Sequence, residues 1–172
     1  MKDSLLKTIG IDASNIRAGG GITHLSQIIE HAEPQKSDIF KVIVWSSKET
    51  LNKLPNKDWL VKKTEPFLQG GFFKRTFWQT FILGKRITSN KCDILFVPGG
   101  SYRAKFSPVV SMHQNLLPFE KKEILRYGFS LLTIKWILLS FTQSSSFKKS
   151  NGIIFLSQYS KKSLLNIIDT NL

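Results

Sequence analysis

The stretch Thr8-Ile-Gly-Ile-Asp-Ala-Ser-Asn-Ile-Arg-Ala-Gly-Gly-Gly-Ile-Thr-His24 decides the fold class. Thr8 to Ala13 reads as a buried strand and Ser14 to Gly21 as a loop. Ile22 to Ala32 then places Ile22, Leu25, Ile28 and Ile29 on one helical face. The same alternation continues outward from this unit. Strands are predicted at Phe40–Trp45, Trp59–Lys63, Asp93–Val97, Val109–Met112 and Gly152–Leu156. Helices are predicted from Ser47, as a cap, through Leu54, then over Phe72–Ile87, Lys121–Phe147 with a break at Gly128, and Tyr159–Ile168. The strands are near-continuous apolar runs, the pattern of a parallel sheet covered on both faces. The expected fold is therefore one Rossmann-like α/β domain over residues 1–172.

Composition bounds the function. The chain has 172 residues, 41% of them apolar and 22% charged, which suits a folded domain and not a disordered segment. The net charge is +13. Residues 1–50 carry six basic and six acidic side chains, so the whole excess lies after residue 50. Such asymmetry points to an anionic partner or to a solvated basic surface. A lone cysteine, Cys92, excludes an internal disulfide framework and a cysteine-built zinc site. No run reaches the ~18 apolar residues of a membrane span, and no signal peptide is visible. The reading is cytoplasmic, at the inner face of a membrane if membrane-bound.

In open α/β sheets, ligands bind at the carboxyl ends of the strands. The residues to weigh therefore follow strands. Gly19, Gly20 and Gly21 precede a helix, where bare backbone N–H groups and the helix dipole attract a phosphate or diphosphate. The alternative is a plain turn. The dinucleotide fingerprint fails, because His24 stands where its third glycine belongs and no acid closes the second strand. No Gly-Lys-Ser/Thr follows, so the loop is not a P-loop either. His113 comes directly after a strand, so its side chain is expected to emerge at the ligand end. There it would move a proton or bind a sugar hydroxyl, unless it is a histidine satisfied within its loop. No His, Asp or Glu cluster has metal-ligand spacing, so no metal is expected.

Two apolar segments remain. Phe72 to Arg86 mixes aromatic and basic residues, with Phe73, Phe77 and Phe81 on one side and Lys74 and Arg75 beside them. Phe73, Lys74, Arg75, Phe77 and Trp78 are the expected membrane-facing residues, on the pattern of interfacial helices, unless the helix simply covers the sheet. Phe129 to Phe141 is apolar nearly all round, which predicts a buried helix. Nucleic acid is not an expected partner. The cations are spread over several helices, and no nucleic-acid-binding motif is present.

Four segments together carry a resemblance. They are Ile9-Gly-Ile-Asp-Ala-Ser14 with Gly19-Gly-Gly-Ile-Thr-His24; Cys92-Asp-Ile-Leu-Phe-Val-Pro-Gly-Gly-Ser-Tyr102; Val109-Val-Ser-Met-His-Gln-Asn-Leu-Leu-Pro-Phe119; and Gly152-Ile-Ile-Phe-Leu-Ser-Gln-Tyr-Ser160. In this order they resemble the N-terminal, acceptor-side domain of retaining glycosyltransferases of the GT-B fold, family 4 (group 1). The third segment looks like enzymes that build O-antigen or capsule. The resemblance implies sugar transfer from a nucleotide sugar to a lipid-linked or growing polysaccharide, without a metal or other cofactor. It places Gly19, Gly20 and Gly21 against the donor diphosphate and His113 near the reacting sugar. Ser101, Tyr102, Gln114 and Asn115 would line the acceptor side. It also implies that the donor-binding domain, which carries a Glu-x7-Glu pattern, is absent from these residues. A further chain would then supply it. The alternative is a non-catalytic, membrane-associated module that holds an anionic glycan or a partner glycosyltransferase.

Overall fold

Six short strands, most of them apolar runs, assemble into one sheet. They are β1 (Lys7–Asp12), β2 (Ile39–Trp45), β3 (Leu60–Lys63), β4 (Ile94–Val97), β5 (Val109–His113) and β6 (Gly152–Phe155). The structure is a computed structural model that describes residues 6–120, 124, 126, 128 and 130–168. The strand order is β3-β2-β1-β4-β5-β6, and every neighbouring pair is parallel. This is the doubly wound, Rossmann-like arrangement, in which the order reverses beside β1. Seven helices are described: α1 (Gly20–His31), α2 (Lys48–Asn52), α3 (Pro66–Gln69), α4 (Phe72–Phe81), α5 (Leu83–Ser89), α6 (Leu131–Lys149) and α7 (Gln158–Leu165).

Alternation along the strands divides the core. Ile11, Val42 and Val44 face α1 and α2, where they meet Ile22, Leu25, Ile29 and Leu51. Ile43, Trp45, Leu95, Val97 and Val109 face the other way, against Leu68, Trp78, Leu83 and Ile87 of α3–α5. Leu25, Leu83 and Ile87 are completely buried. Each such side chain contributes about 1.5–3 kcal/mol relative to exposure. Phe119, Phe147, Leu164 and Ile168 form a third cluster beside β6. Hydroxyl caps start three helices. Ser47 Oγ accepts from the Thr50 N–H at 3.3 Å, Ser130 Oγ from Thr133 at 3.2 Å, and Ser157 Oγ from Ser160 at 3.1 Å.

Three expectations are corrected. The single helix over 72–87 is two helices, broken at Ile82, whose φ is −111°. The break lets Leu83 and Ile87 reach the core while Phe77 and Phe81 stay outside. Trp78 is not membrane-facing. It is fully buried, and its indole N–H donates to Glu65 Oε2 at 3.0 Å, because it projects from the sheet-facing side of α4. The apolar segment within α6 is not buried: Leu131, Ile134, Ile137, Leu138 and Phe141 are exposed. Phe129 and residues 121–123 of the expected long helix lie outside the described residues. Among the described residues, no helix is long and apolar enough to cross a membrane.

Gly10 lies mid-strand in β1, paired with β2 and β4. A Cβ there would stand 3.0 Å from Trp45 Cζ3 and 3.3 Å from Cys92 Sγ. The missing side chain is what admits the indole. Gly10→Val should therefore overpack the sheet centre and cost about 1–3 kcal/mol in urea unfolding. An added Trp45→Phe should restore part of that loss. An unchanged midpoint for Gly10→Val would show that the space is not filled as described.

Candidate functional site

The crevice forms where the chain leaves β1 for one side of the sheet and β4 for the other. Asp12 closes β1, the loop to α1 carries Ser14, Asn15, Arg17 and Gly19, and Gly20 and Gly21 open the helix. Gly19 has φ 65° and ψ −152°, a backbone state that only glycine adopts freely. A Cβ at Gly19 or Gly20 would meet nothing within 4 Å, so the space above the loop is open. No side chain caps α1. Its first turn therefore keeps unsatisfied N–H donors and the positive end of the helix dipole.

The β4 loop comes alongside. A Cβ at Gly99 would lie 3.6 Å from Asn15 Cβ. Gly100 has φ +71°, and a Cβ there would crowd the Met112 carbonyl at 3.2 Å and Phe147 Cζ at 3.1 Å. A buried bridge ties the two loops. Gln79 of α4 donates through Nε2 to Asp12 Oδ2 at 2.6 Å and to the Ser101 carbonyl at 3.1 Å. The Ser14 N–H donates to Asp12 Oδ1 at 3.1 Å. Burial raises the Asp12 carboxyl above its ordinary value, while the bonds from Ser14 and Gln79 act against that rise.

One arginine reaches this loop and another reaches out from it. Arg75 Nη1 donates to the Ser14 carbonyl at 3.1 Å, and Arg17 Nη1 donates to the Leu68 carbonyl at 2.7 Å. Partial burial, and then the Arg17 charge, hold the Arg75 guanidinium below its ordinary value. Arg75 thus turns toward the strand ends, although the sequence placed it among membrane-facing residues. Phe73, Lys74 and Phe77 are exposed on α4.

The other sequence-named residues divide. Asn115 Oδ1 accepts from the Leu117 N–H at 3.1 Å and shapes the loop after β5. Gln114 Nε2 lies 3.3 Å from Met112 Sδ. Tyr102 is buried in the core, its backbone N–H and carbonyl both bonded to Ser146 Oγ. Ser101 Oγ is buried without a hydrogen-bond partner. His113 ends β5, but its ring does not emerge from the sheet. It is 1% exposed, and Phe119, Phe147 and Phe155 pack edge-on around it at 5.1, 5.3 and 6.1 Å. Neither ring nitrogen has a hydrogen-bond partner of good geometry. Burial lowers its basicity, which the nearby Ser160 and Asn115 backbones only partly offset.

Asp12, Gln79 and Arg17 were missed as site residues. Asp12 carried a signal, as the one acid in an apolar strand. Gln79 carried one only jointly with Arg75, one helical turn earlier on the same face. Among the described residues, no group of His, Cys, Asp and Glu is arranged to hold a metal. Two shallow cavities lie elsewhere: one at the amino end of β2, by Asp38 and Trp59, and the other under the later turns of α1. Compared with known protein families, curated proteins and solved structures, the chain matches none.

The His113 cage makes a pH prediction. The ordinary histidine value is 6.5, and the folded value lies below it. As pH falls through 6.5 the unfolded chain takes up a proton that the folded chain refuses. The stability is whole above that pH and declines below it, by up to about 1.4 kcal/mol per pH unit. Asp12 has the opposite sign, since its raised value makes burial costly at neutral pH and less so as pH falls. His113→Phe, which suits the aromatic cage, should flatten the decline just below pH 6.5 in urea unfolding. An equal decline in the variant would assign it to another group.

Proposed function

We propose that the chain is the acceptor-side domain of a retaining glycosyltransferase. It would serve transfer of a sugar from a nucleotide sugar to a lipid-linked or growing surface polysaccharide. The observation that carries this reading is the junction at the strand-order reversal. There the uncapped glycine turn of α1 and the Gly99–Tyr102 loop are held together by Asp12 and Gln79. Such a crevice is the usual ligand site of an open parallel sheet. Of the four sequence segments that resemble the family, the first two end on this crevice and the third ends on the neighbouring strand, while the fourth forms the sheet edge beyond it.

In this reading Gly19, Gly20 and Gly21 lie against the donor diphosphate. Unsatisfied N–H groups at a helix start stabilise the charge that develops on a leaving diphosphate, because they are oriented before the reaction begins. Arg17 and Arg75 add positive charge to the same loop. Asp12 and Gln79 are positioning residues that fix the two loops against each other. Asn115, Gln114 and Ser101 lie toward the acceptor, and His113 backs that side from within its cage. The nucleotide would be held by a second α/β unit, in the same enzyme or on a partner chain. A lipid-linked acceptor accords with the exposed phenylalanines and cations of α4, which would bring the crevice to the membrane.

A second reading is favoured by the sealed His113 ring: a non-catalytic module that binds an anionic glycan or a partner glycosyltransferase at a membrane. Both readings meet one experiment. A short-chain prenyl-diphosphate sugar is titrated into the isotope-labelled chain and amide shifts are followed by NMR. The transfer reading expects that probe to shift Ser101, Gln114 and Asn115, and a nucleoside diphosphate titrated in parallel to shift Gly19–Gly21, the latter shifts being lost in Gly20→Glu. Shifts confined to the amino end of the sheet, or none, would reject it. Binding of an acidic glycan that survives Gly20→Glu would favour the second reading.

A further inference from the structure

The helices α4–α5 and α6 cover the same side of the sheet. Trp78 and Leu83 pack on Leu95 and Val97. Val97 pairs with Ser111 in the parallel ladder, so both point to one face. Ser111 Oγ lies 2.7 Å from Ser150 Oγ at the end of α6. The outward surfaces of the two helices are therefore turned to the same side of the molecule.

Both outward surfaces are apolar. On α4, Phe73 is 86% exposed, and Phe77 and Phe81 follow it at four-residue intervals. Phe77 touches Phe81 at 4.9 Å and stacks on Phe67 at 5.3 Å, so the rings form a continuous patch. On α6, Leu131 (87% exposed), Ile134, Leu138 and Phe141 (71% exposed) repeat at helical spacing. Two stripes of this size on one side are more than scattered surface residues.

The connection between them is basic. Residues 99–105 touch both helices, through the Gln79–Ser101 bond on one side and the Ser146–Tyr102 bonds on the other. Tyr102 and Ala104 turn into the core, while Arg103 and Lys105 alternate outward. Every charged residue of α4, α5, α6 and residues 98–105 is Lys or Arg. The neighbouring acid, Glu65 ahead of α3, is taken up by Arg86 and the Trp78 indole, and apolar stripes flanked by the remaining cations fit the boundary between the headgroups and acyl chains of an anionic bilayer.

We propose that α4, the Arg103–Lys105 loop and α6 together form a two-helix seat that lays the domain on an anionic membrane, with α6 as its second contact. This rests on the membrane-facing part of the proposed function but not on sugar transfer. Vesicle binding and ligand binding at the strand ends can therefore fail separately.

The test is co-sedimentation of the full chain with vesicles of phosphatidylcholine, with and without phosphatidylglycerol. Ile134→Ser with Leu138→Ser, and separately Phe73→Ser with Phe77→Ser, should each weaken binding about tenfold or more. Arg103→Gln with Lys105→Gln should weaken binding to the anionic vesicles and leave the neutral ones unchanged. All these positions are exposed, so circular dichroism and urea midpoints should stay near the parent's. Leu131→Ser is the substitute if the α6 pair loses its fold. Parent-like vesicle binding by the α6 variant would overturn the proposal. So would a parent dimer in sedimentation equilibrium that the α6 variant dissociates without loss of vesicle binding, which would make the stripe a subunit interface.

Discussion

The position of β1 between two parallel neighbours organises the molecule. The chain leaves it toward β2 on one side, and returns much later to place β4 on the other. Parallel pairing needs a crossover for each strand, and the crossovers from a central strand must go opposite ways. Their loops separate at its carboxyl end, and the gap is the crevice. Gly10 makes that central place habitable, because only a residue without a side chain leaves room for Trp45 and Cys92 on one face. Asp12, two residues on, then anchors the bridge that closes the gap to a defined width.

That bridge links stability to the site. A buried carboxyl is costly, and its bonds from Gln79 and the Ser14 N–H reduce the cost by giving it fixed donors. The same bonds hold the glycine loop against the β4 loop. His113 shows another balance. Its ring is sealed among three phenylalanines, with the Ser160 and Asn115 backbones nearby but no hydrogen bond of good geometry, so burial favours the neutral imidazole.

Much of this was legible in the sequence. Most of the strands are largely apolar runs, Leu60-Val-Lys-Lys63 being the exception, and Ser47 announces its helix by spacing alone. The glycine turn and its place after β1 followed directly. What escaped depends on partners distant in sequence. Gln79 and Asp12 are separated by 67 positions, and neither carries a pattern that names the other. Phe119, Phe147 and Phe155 close on His113 from three segments, so local spacing suggested an emerging side chain. The exposure of α6 was hidden for a related reason. An all-apolar helix signals contact with something apolar, but periodicity cannot say whether that is the core or a surface beyond the chain. Trp78 was misassigned because the aromatic residues of α4 were read as one group, although they lie on two faces.

Sheet, crevice and seat give one account. In the proposed account, an α/β domain would rest on a membrane through α4 and α6 and present its strand ends to a phosphate-bearing saccharide. The most direct test of its central claim is hydrogen–deuterium exchange of the full chain on bilayer discs, with and without a polyprenyl-diphosphate-linked sugar in the bilayer. The account predicts slower exchange on addition of that sugar in residues 98–102 and in the loop after His113, and slower exchange in residues 13–21 on addition of a nucleoside diphosphate. Slowing confined to the amino end of the sheet, or none beyond that caused by the bilayer itself, would contradict it.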